Sequence, residues 1–493
     1  MENAKQQLSK YSNLNLYTMS KLYVFAIGGT GSRVLRSLTM LAASGADIQA
    51  TEIVPVIIDP DVSNADLTRA VTLMNRYSTI RKGIDFQESN ETTFFRTEIS
   101  QFVQNYSLHI QDTEDRRFDQ FIEYPSLSKE NKAMMSMLFS ERNLAAQMQV
   151  GFKGNPNIGS VVLNQIVSSP QFTEFANSFA EGDKIFVISS IFGGTGASGF
   201  PLLLKTLRDP NASFPNHSII NNAQIGAVTI LPYFKLKPSD ESEIDSSTFI
   251  SKARSALAYY ETNVVGNKSI NALYYLADDG DIYENNDGGC QQQNPAHIIE
   301  LLAATAAINF MNTDYSDRHV NLEFGIRDIN DHDGVTFGKF FEETEALLMK
   351  PMTQLTLMAN CLQQGSTQFN FVTSENLVAN EKICANEKFY TTPYFGEIRH
   401  FMKAYREWLH ELNDNKRSLS IFNLDCGSRP FELVKDRKPQ QGGFLGFGKK
   451  DYESFYDAIN KAAQKVRGDK ASSLFMEIYS RATKKLTEEK LKM

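Results

Sequence analysis

Two glycine-rich segments, each directly after an apolar run, carry the residues of this chain that are best suited to chemistry. The second follows residues 185–192 and consists of Gly193, Gly194, Thr195, Gly196, Ala197, Ser198 and Gly199. Glycine lets a backbone turn tightly and approach a ligand, and a helix that begins there directs free N–H groups at it. No Gly-Lys-Ser/Thr ending of the Walker A type closes this segment. It therefore predicts a phosphate-binding loop that works with backbone amides and hydroxyls.

The first glycine-rich segment has the same setting near the start of the chain. An apolar run at 22–27 precedes it, and residues 34–41 have the spacing of a helix. The pattern predicts a strand, a glycine turn and a helix in succession. The turn consists of Gly28, Gly29, Thr30, Gly31 and Ser32.

Asp59 and Asp61 are a third feature with chemical potential, because they follow the apolar run 53–58. Carboxylates at the end of a second strand bind ribose hydroxyls in many nucleotide folds. A loop carboxylate or a helix cap explains the pair equally well.

The elements that must position these residues alternate between strand and helix patterns. This alternation predicts an α/β fold: a mostly parallel nucleotide-binding sheet with helices on both faces, whose ligands sit where the strands end. Residues 65–150 contain no strong strand and indicate a helical insertion. Strands are predicted at 22–27, 53–58, 185–191, 224–231 and 272–276.

A long apolar segment at 295–310 predicts a buried central helix, with Pro295 in its first turn. A further strand is indicated within 319–329. Residues 335–493 are typical of a largely helical, or α+β, C-terminal domain.

Composition narrows the class of protein. The chain has 493 residues, of which 42% are hydrophobic and 22% charged, and its net charge is −8. This charge argues against a nucleic-acid-binding protein and favours a basic adaptor protein, or a second copy of the chain, as partner. No apolar run is long enough for a membrane span, and residues 1–20 lack the apolar centre of a signal peptide.

The cysteines and histidines predict no metal site within the protein. The four cysteines form no CxxC pair, and the histidines have no ligand spacing. Reduced thiols are typical of a cytoplasmic protein, which is the location we expect. The cysteines are Cys290, Cys361, Cys384 and Cys426.

The order of these segments resembles the tubulin/FtsZ superfamily, and in particular its divergent bacterial tubulin-like members. The family signature is a GGGTGSG-type loop, and residues 192–199 look like it, with Phe192 in place of the first glycine. The turn at 28–32 is similar to the first nucleotide loop, and Asp59 and Asp61 stand at the acidic place of the second. The segment 151–159, with Gly154 and Asn155, resembles the loop that approaches the terminal phosphate.

The resemblance covers roughly residues 20–317 and implies a GTP-binding fold that uses Mg²⁺. In the family, a residue at the start of the central helix contacts guanine. His297 or Asn294 would take this role here, and a structural cap at Asn294 is an equal alternative.

The family also assembles head to tail into filaments, and one subunit supplies the carboxylates that complete the next subunit's site. The segment from Asn312 to Asp317 resembles that loop, which makes Asp314 and Asp317 the candidate catalytic residues. The chemistry is reasonable, because a carboxylate can orient or deprotonate the attacking water. The alternative is that both are ordinary loop aspartates.

The resemblance gives a domain organisation for the chain. Residues 1–20 are an N-terminal extension, and 21–294 are a GTP-binding domain that includes the insertion at 65–150. Residues 295–317 are the central helix with its co-catalytic loop, and 318–493 are the C-terminal domain.

Two alternatives stay open. Residues 24–69 also resemble ubiquitin-activating-type adenylating enzymes, which use ATP, through the turn at 28–32 and the Asp59-Pro-Asp-Val62 segment. That family leaves 193–199 unexplained, and its usual reactive cysteine or CxxC pair is not obvious here. The other alternative is a tubulin-like scaffold or sensor that binds nucleotide with little turnover, which Phe192 permits.

Overall fold

A computed structural model describes most of the chain, and every structural statement below concerns the part that it describes. Among the sequence-based assignments, most of the N-terminal extension, Gly151, Val62 and two of the cysteines, Cys290 and Cys426, lie outside the described residues. The described residues are 20–61, 64–87, 90–148, 152, 154–237, 248–278, 284–285, 293–327, 334–362, 377–425, 429–439 and 451–493.

The described residues form a seven-stranded parallel sheet with the strand order β3-β2-β1-β4-β5-β7-β9. This confirms the predicted α/β class and the five predicted strands. A small parallel pair, β6 with β8, lies apart from it. The strands are β1 Lys21–Ile27, β2 Glu52–Ile58, β3 Glu98–Ile99, β4 Lys184–Ser190, β5 Gln224–Ile230, β6 Lys235–Leu236, β7 Ala272–Leu276, β8 Glu284–Asn285 and β9 Val320–Glu323.

One short strand, β3, comes from the segment 65–150, for which the sequence indicates helices and no strong strand. The two residues of β3 pair in parallel with β2 at the sheet border. The rest of the described part of 65–150 contains helices, as predicted.

About half of the described residues outside the strands lie in α-helices. They are α1 Gly28–Ser44, α2 Ala65–Lys82, α3 Phe118–Phe121, α4 Lys129–Leu138, α5 Glu141–Leu144, α6 Pro156–Leu163, α7 Pro170–Ser178, α8 Gly194–Leu207, α9 His217–Asn222, α10 Phe249–Tyr260, α11 Ile298–Asn312, α12 Glu342–Cys361, α13 Val378–Ile383, α14 Pro393–Asp414, α15 Asp451–Lys465 and α16 Ala471–Leu486. None of the described helices is long and apolar enough to cross a membrane.

Helices cover both faces of the sheet, as the sequence predicts. On one face, Tyr23 and Phe25 of β1 pack against Phe175 of α7, with ring centroids 5.2 and 5.0 Å apart. On the other face, Phe186 of β4 packs against Phe310 of α11 at 5.5 Å. Side chains alternate between the faces of a strand, so the near-continuous apolar runs are explained by burial on both sides.

The central helix begins later than the sequence predicts. It spans Ile298–Asn312, with His297 as its N-cap, so the prediction that Pro295 lies in its first turn is wrong. The reason is a capping box, in which the Glu300 carboxylate accepts a hydrogen bond from the His297 backbone N–H at 3.2 Å.

The C-terminal third packs on the same face as α1 and α2. The described part of 334–493 is largely helical, in line with the prediction, and α12 contacts α1 while α14 contacts α2. One hydrophobic cluster includes residues from Leu22 to Leu491. The C-terminal helices therefore share a core with the sheet.

Candidate functional site

The strand order of the sheet determines where a ligand crevice forms. The connection after β1 leads toward β2 and the connection after β4 leads toward β5, so β1 and β4 are neighbours whose chains depart in opposite directions. In open α/β sheets, ligands bind at such a switch point, where the strands end. We call this border, at which β1, β2, β4 and β5 end, the carboxyl edge, and the border at which they begin the amino edge.

The two glycine segments meet at the carboxyl edge. Gly28 has φ +73°, and a Cβ built on it would lie 3.5 Å from Thr195 Cβ and 3.8 Å from the backbone nitrogen of Gly196. Residues with a side chain rarely adopt this φ value. A side chain larger than a methyl group at this position would also fill the space between the two segments. The structure therefore brings together the residues at 28–32 and 193–198.

The segment around Gly154 and Asn155 joins them. A Cβ on Gly194 would lie 2.9 Å from the Asn155 nitrogen and 3.1 Å from the Gly154 nitrogen. Lys252 of α10 donates a hydrogen bond to the Gly154 carbonyl at 2.9 Å. Three loops that the sequence predicted thus converge at one place. Lys252, which the sequence alone did not single out, joins them.

Two helices begin at this place without a side-chain cap. Ile27 is the N-cap of α1 and Gly193 the N-cap of α8, and neither accepts a hydrogen bond through a side chain in the described structure. The first N–H groups of a helix have no partner within the helix, and they attract anions. Ser32 Oγ is also buried and has no hydrogen-bond partner among the described residues. These donors fit a phosphate group.

Phe192, the residue that directly precedes the second glycine loop, is packed at the base of that loop. It is buried in an aromatic cluster, where its ring centroid lies 4.9 Å from that of Phe249, 5.4 Å from Phe234 and 6.3 Å from Tyr233. Phe192 therefore contributes packing at the end of β4.

Asp59 and Asp61 lie at the carboxyl edge, one strand away from the glycine loops. Asp59 Oδ1 accepts a hydrogen bond from the Asp61 backbone N–H at 3.1 Å. Burial raises the pKa of Asp59 to about 7; the hydrogen bond from the Asp61 N–H opposes this rise, while the charge of the Asp61 carboxylate adds to it. Asp59 also lines a cavity of about 600 Å³ together with residues of 104–115. The ribose role of the pair stays a prediction.

The predicted guanine contacts lie behind the loops in a polar network. His297 is 1% exposed, and its Nδ1 accepts a hydrogen bond from the Ile299 backbone N–H at 3.1 Å. Burial, together with the cations Arg33 and Arg417, lowers the pKa of His297 to about 3, so its ring is neutral. The cap is therefore observed at His297 rather than at Asn294, whose backbone N–H donates to the Asp66 carboxylate at 3.1 Å.

A buried ion pair joins the helix that follows the first loop to the central helix. Arg33 of α1 pairs with Glu300 of α11, and Tyr233 donates to the same carboxylate at 3.2 Å. Removal of one partner from such a buried pair is strongly destabilising. Sequence patterns did not indicate this pair.

The candidate catalytic aspartates lie at the amino edge. Gln224, the first residue of β5, donates from Nε2 to Asp314 Oδ1 at 2.9 Å. Asp314 and Asp317 are both exposed. Hydrogen bonds from Ser316 and Gln224, with the charge of Lys184, hold the pKa of Asp314 below its ordinary value. The structure thus does not bring these carboxylates to the glycine loops of their own chain.

No group of three His, Cys, Asp or Glu side chains suited to a metal ion occurs among the described residues.

No protein-family model and no curated protein match this chain. Among the solved structures that are similar to this chain, three each cover 52% of its length. They are CetZ2 from Haloferax volcanii as a GTPgS-bound protofilament (14% identity, TM-score 0.27, 49% of that chain), CetZ1 from Haloferax volcanii as a GDP-bound monomer (15%, 0.28, 51%) and CetZ from Methanosaeta thermophila strain DSM 6194 (15%, 0.24, 46%).

The match spans about half the length of each of these chains. The three proteins are archaeal, so they give no support to the bacterial assignment. Similarity at such TM-scores establishes neither a shared fold nor a shared function.

Proposed function

We propose that this chain binds GTP at the carboxyl edge and assembles head to tail, so that the amino edge of one copy completes the nucleotide site of the next. The observation that carries this proposal is the separation of two half-sites. The glycine loops follow β1 and β4, whereas the carboxylate of Asp314 accepts a hydrogen bond from the first residue of β5, and Asp317 follows three residues later.

The separation is too large to be bridged within one chain. Strands β4 and β5 each have seven residues, which corresponds to about 20 Å at the rise of a strand. The central helix α11, with 15 residues, spans about 22 Å between the same two edges. A second copy, placed with its amino edge over the carboxyl edge of the first, brings the half-sites together. Such a heterologous contact repeats into a filament when it does not close into a ring.

The residues at the carboxyl edge are suited to binding and charge stabilisation. The free N–H groups at the starts of α1 and α8 would bind phosphate oxygens, with Ser32 Oγ as a further donor. A bound Mg²⁺ ion would neutralise part of the phosphate charge. The partner copy's carboxylate would orient the attacking water and accept its proton, while the fixed amides stabilise the charge that develops.

The choice of guanine over adenine rests on the sequence resemblance. His297 and Asn294 are engaged in hydrogen bonds with the chain itself, so a guanine contact by either requires those bonds to change. The basic adaptor and the cytoplasmic location are likewise predictions from composition.

The thiol of Cys361 is unsuited to the reactive role that the adenylating alternative requires of a cysteine. Cys361 is 5% exposed, and burial raises its pKa, which keeps the thiol protonated and unreactive. Cys384 is half-buried.

Phosphate release measured against protein concentration tests the proposal. Turnover per subunit should rise with concentration, since each site needs two copies, and Asp314→Ala and Asp317→Ala should both lower it. Sedimentation with GTP, with GDP, with ATP and without nucleotide shows which nucleotide state of the protein assembles into filaments. Nucleotide binding without turnover in the wild type would instead support the scaffold alternative, and turnover that is independent of concentration would contradict the shared site.

A further inference from the structure

The acidic loop at the amino edge is fixed to the sheet through one residue between its two aspartates. The backbone N–H of Tyr315 donates to Gln224 Oε1 at 2.9 Å, and its carbonyl accepts from Asn271 Nδ2 at 3.0 Å. The Tyr315 ring is stacked on Phe310 of α11, with centroids 5.7 Å apart and an interplanar angle of 8°. Tyr315 is 6% exposed, although the residues on either side of it are exposed.

Gln224 uses its whole amide group on this loop. Its carbonyl oxygen holds the Tyr315 N–H, while its Nε2 donates to Asp314 Oδ1 at 2.9 Å and to Ser316 Oγ at 3.1 Å. One side chain therefore contacts three consecutive residues. In the described structure this amide group makes no hydrogen bond to its own strand β5, so its hydrogen bonds all serve the loop.

Lys184 holds the end of the central helix that leads into the loop. Its Nζ donates to the carbonyls of Met311 at 3.0 Å and Thr313 at 2.7 Å, with a longer contact to Phe310 at 3.4 Å. Carbonyls at the end of a helix lack intrahelical donors, and a cation there is favourable. The lysine thus fixes where the helix stops and the loop begins.

These three side chains stand at the starts of three adjacent strands. Lys184 and Gln224 are the first residues of β4 and β5, and Asn271 directly precedes β7. We propose that Lys184, Gln224 and Asn271 are positioning residues that hold the Asp314–Asp317 loop in the orientation needed to complete the nucleotide site of a second copy. This inference rests on the proposed function and adds the residues that make the half-site rigid.

The sheet is a suitable support for this task. Effective catalytic groups must be held within a fraction of an ångström, and a misplacement of about 1 Å costs roughly 100-fold in rate. Asp314 and Asp317 are exposed and would otherwise sample many positions. Attachment to strand starts transfers the rigidity of the buried sheet to the loop.

Gln224→Met tests the central contact, because methionine keeps the length of the side chain and removes both hydrogen-bonding atoms. We expect turnover per subunit at saturating GTP to fall about 10- to 100-fold, while the nucleotide KM and the amount of sedimented polymer stay within about twofold of wild type. Gln49→Met is the matched control, since Gln49 is exposed at the same edge and its side chain has no hydrogen bond in the described structure. We expect wild-type turnover from it.

Lys184 gives a second measurement by rescue. Lys184→Met should lower turnover about tenfold, and Lys184→Arg, which keeps a cationic donor at the helix end, should recover most of it. Hydrogen exchange of a peptide that contains residues 312–318 should be faster in Gln224→Met than in wild type, since the Tyr315 amide loses its acceptor.

The outcomes separate this inference from the proposed function. A wild type with no concentration-dependent turnover removes the proposed function and the inference together. Concentration-dependent wild-type turnover with a fully active Gln224→Met overturns the inference alone. Equal losses in Gln49→Met and Gln224→Met, or a loss that appears in KM and not in kcat, also overturn it.

Discussion

The two edges of the sheet are built in different ways, and the proposed function assigns to them the two halves of one reaction. The carboxyl edge is built from backbone groups and glycines, where even a methyl group would meet neighbouring atoms, as at Gly194 and Gly196. The amino edge is built from side chains, with Gln224 and Lys184 holding an exposed acidic loop. Binding of phosphate requires close approach of a backbone, whereas activation of water requires a placed carboxylate.

Carboxylates at the two edges also differ in the state that their surroundings favour. Burial raises the pKa of Asp59 at the carboxyl edge to about 7. Hydrogen bonds from Ser316 and Gln224 lower the pKa of Asp314 at the amino edge. Near neutral pH the first group is therefore partly protonated while the second is an anion. The carboxyl edge therefore carries less negative charge at Asp59, whereas the amino edge carries a carboxylate anion at Asp314.

The largest loss of GTP binding and turnover should come from one methyl group added to the second glycine loop at the carboxyl edge. A Cβ on Gly196 would lie 2.5 Å from the Ser190 carbonyl oxygen and 2.9 Å from its nitrogen, so the start of α8 must move. We expect Gly196→Ala to weaken GTP binding about 100-fold and to abolish turnover, with a loss of about 1–3 kcal/mol in the free energy of unfolding. Fluorescent-nucleotide titration and thermal unfolding measure the two effects.

Gly396→Ala is the control for this substitution. Gly396 lies in α14, and a Cβ there would meet no atom within 4 Å. Nucleotide affinity should stay at the wild-type value. Equal affinity in both variants would show that the start of α8 is not part of the nucleotide site.

The second effect concerns the amino edge. Asp317 is exposed and has no hydrogen bond or ion pair in the described structure, so Asp317→Asn should leave the fold intact. We expect turnover to fall about 100-fold, the magnitude of a general base, with GTP affinity within about twofold of wild type. Steady-state phosphate release and nucleotide titration measure the two quantities. A parallel loss of affinity would place Asp317 in its own chain's nucleotide site and break the contrast between the edges.

Mixing the two damaged edges should restore part of the activity. Gly196→Ala keeps an intact acidic loop and Asp317→Asn keeps intact glycine loops, so some contacts in a mixed filament contain two intact halves. With random head-to-tail order these are about a quarter of all contacts, and turnover should approach that fraction of wild type. Phosphate release from the mixture, compared with each variant alone, gives the result. Activity equal to the sum of the two variants would exclude a shared site.

Most strands of the sheet could be predicted from the sequence, whereas the short strand β3 and the start of α11 could not. Strands such as β4 are buried on both faces and therefore appear as continuous β-branched and aromatic runs. Strand β3, at Glu98–Ile99, has only two residues and depends on its pairing with β2. The start of α11 was placed too early because proline suits a first turn, while His297 and Glu300 determine the actual cap.

The candidate site shows the same division. Glycine-rich segments are recognisable from composition alone, so the loops at 28–32 and 193–198 were predicted from the sequence. Gln224, Lys184 and Asn271 were not, because a polar residue at the start of a strand looks like an ordinary boundary. Gln224 and Tyr315 are 91 residues apart, and only the parallel sheet together with α11 brings them into contact.

The smallest effect tests the difference in carboxylate state between the edges. The pKa of Asp59 is raised from 3.8 to about 7 in the folded chain, so its contribution to stability is complete below about pH 4 and is lost as the pH rises through 7. Asp59→Asn cannot ionise and keeps an oxygen for the Asp61 N–H. We expect it to raise the free energy of unfolding at pH 8 by about 1–2 kcal/mol and to leave it unchanged at pH 4, a value discounted for partial solvent exposure. Denaturant unfolding at both pH values measures this, with the exposed Asp469→Asn as control. A variant that is less stable than wild type at pH 8 would mean that Asp59 is held as an anion, and the carboxyl edge would then resemble the amino edge in charge.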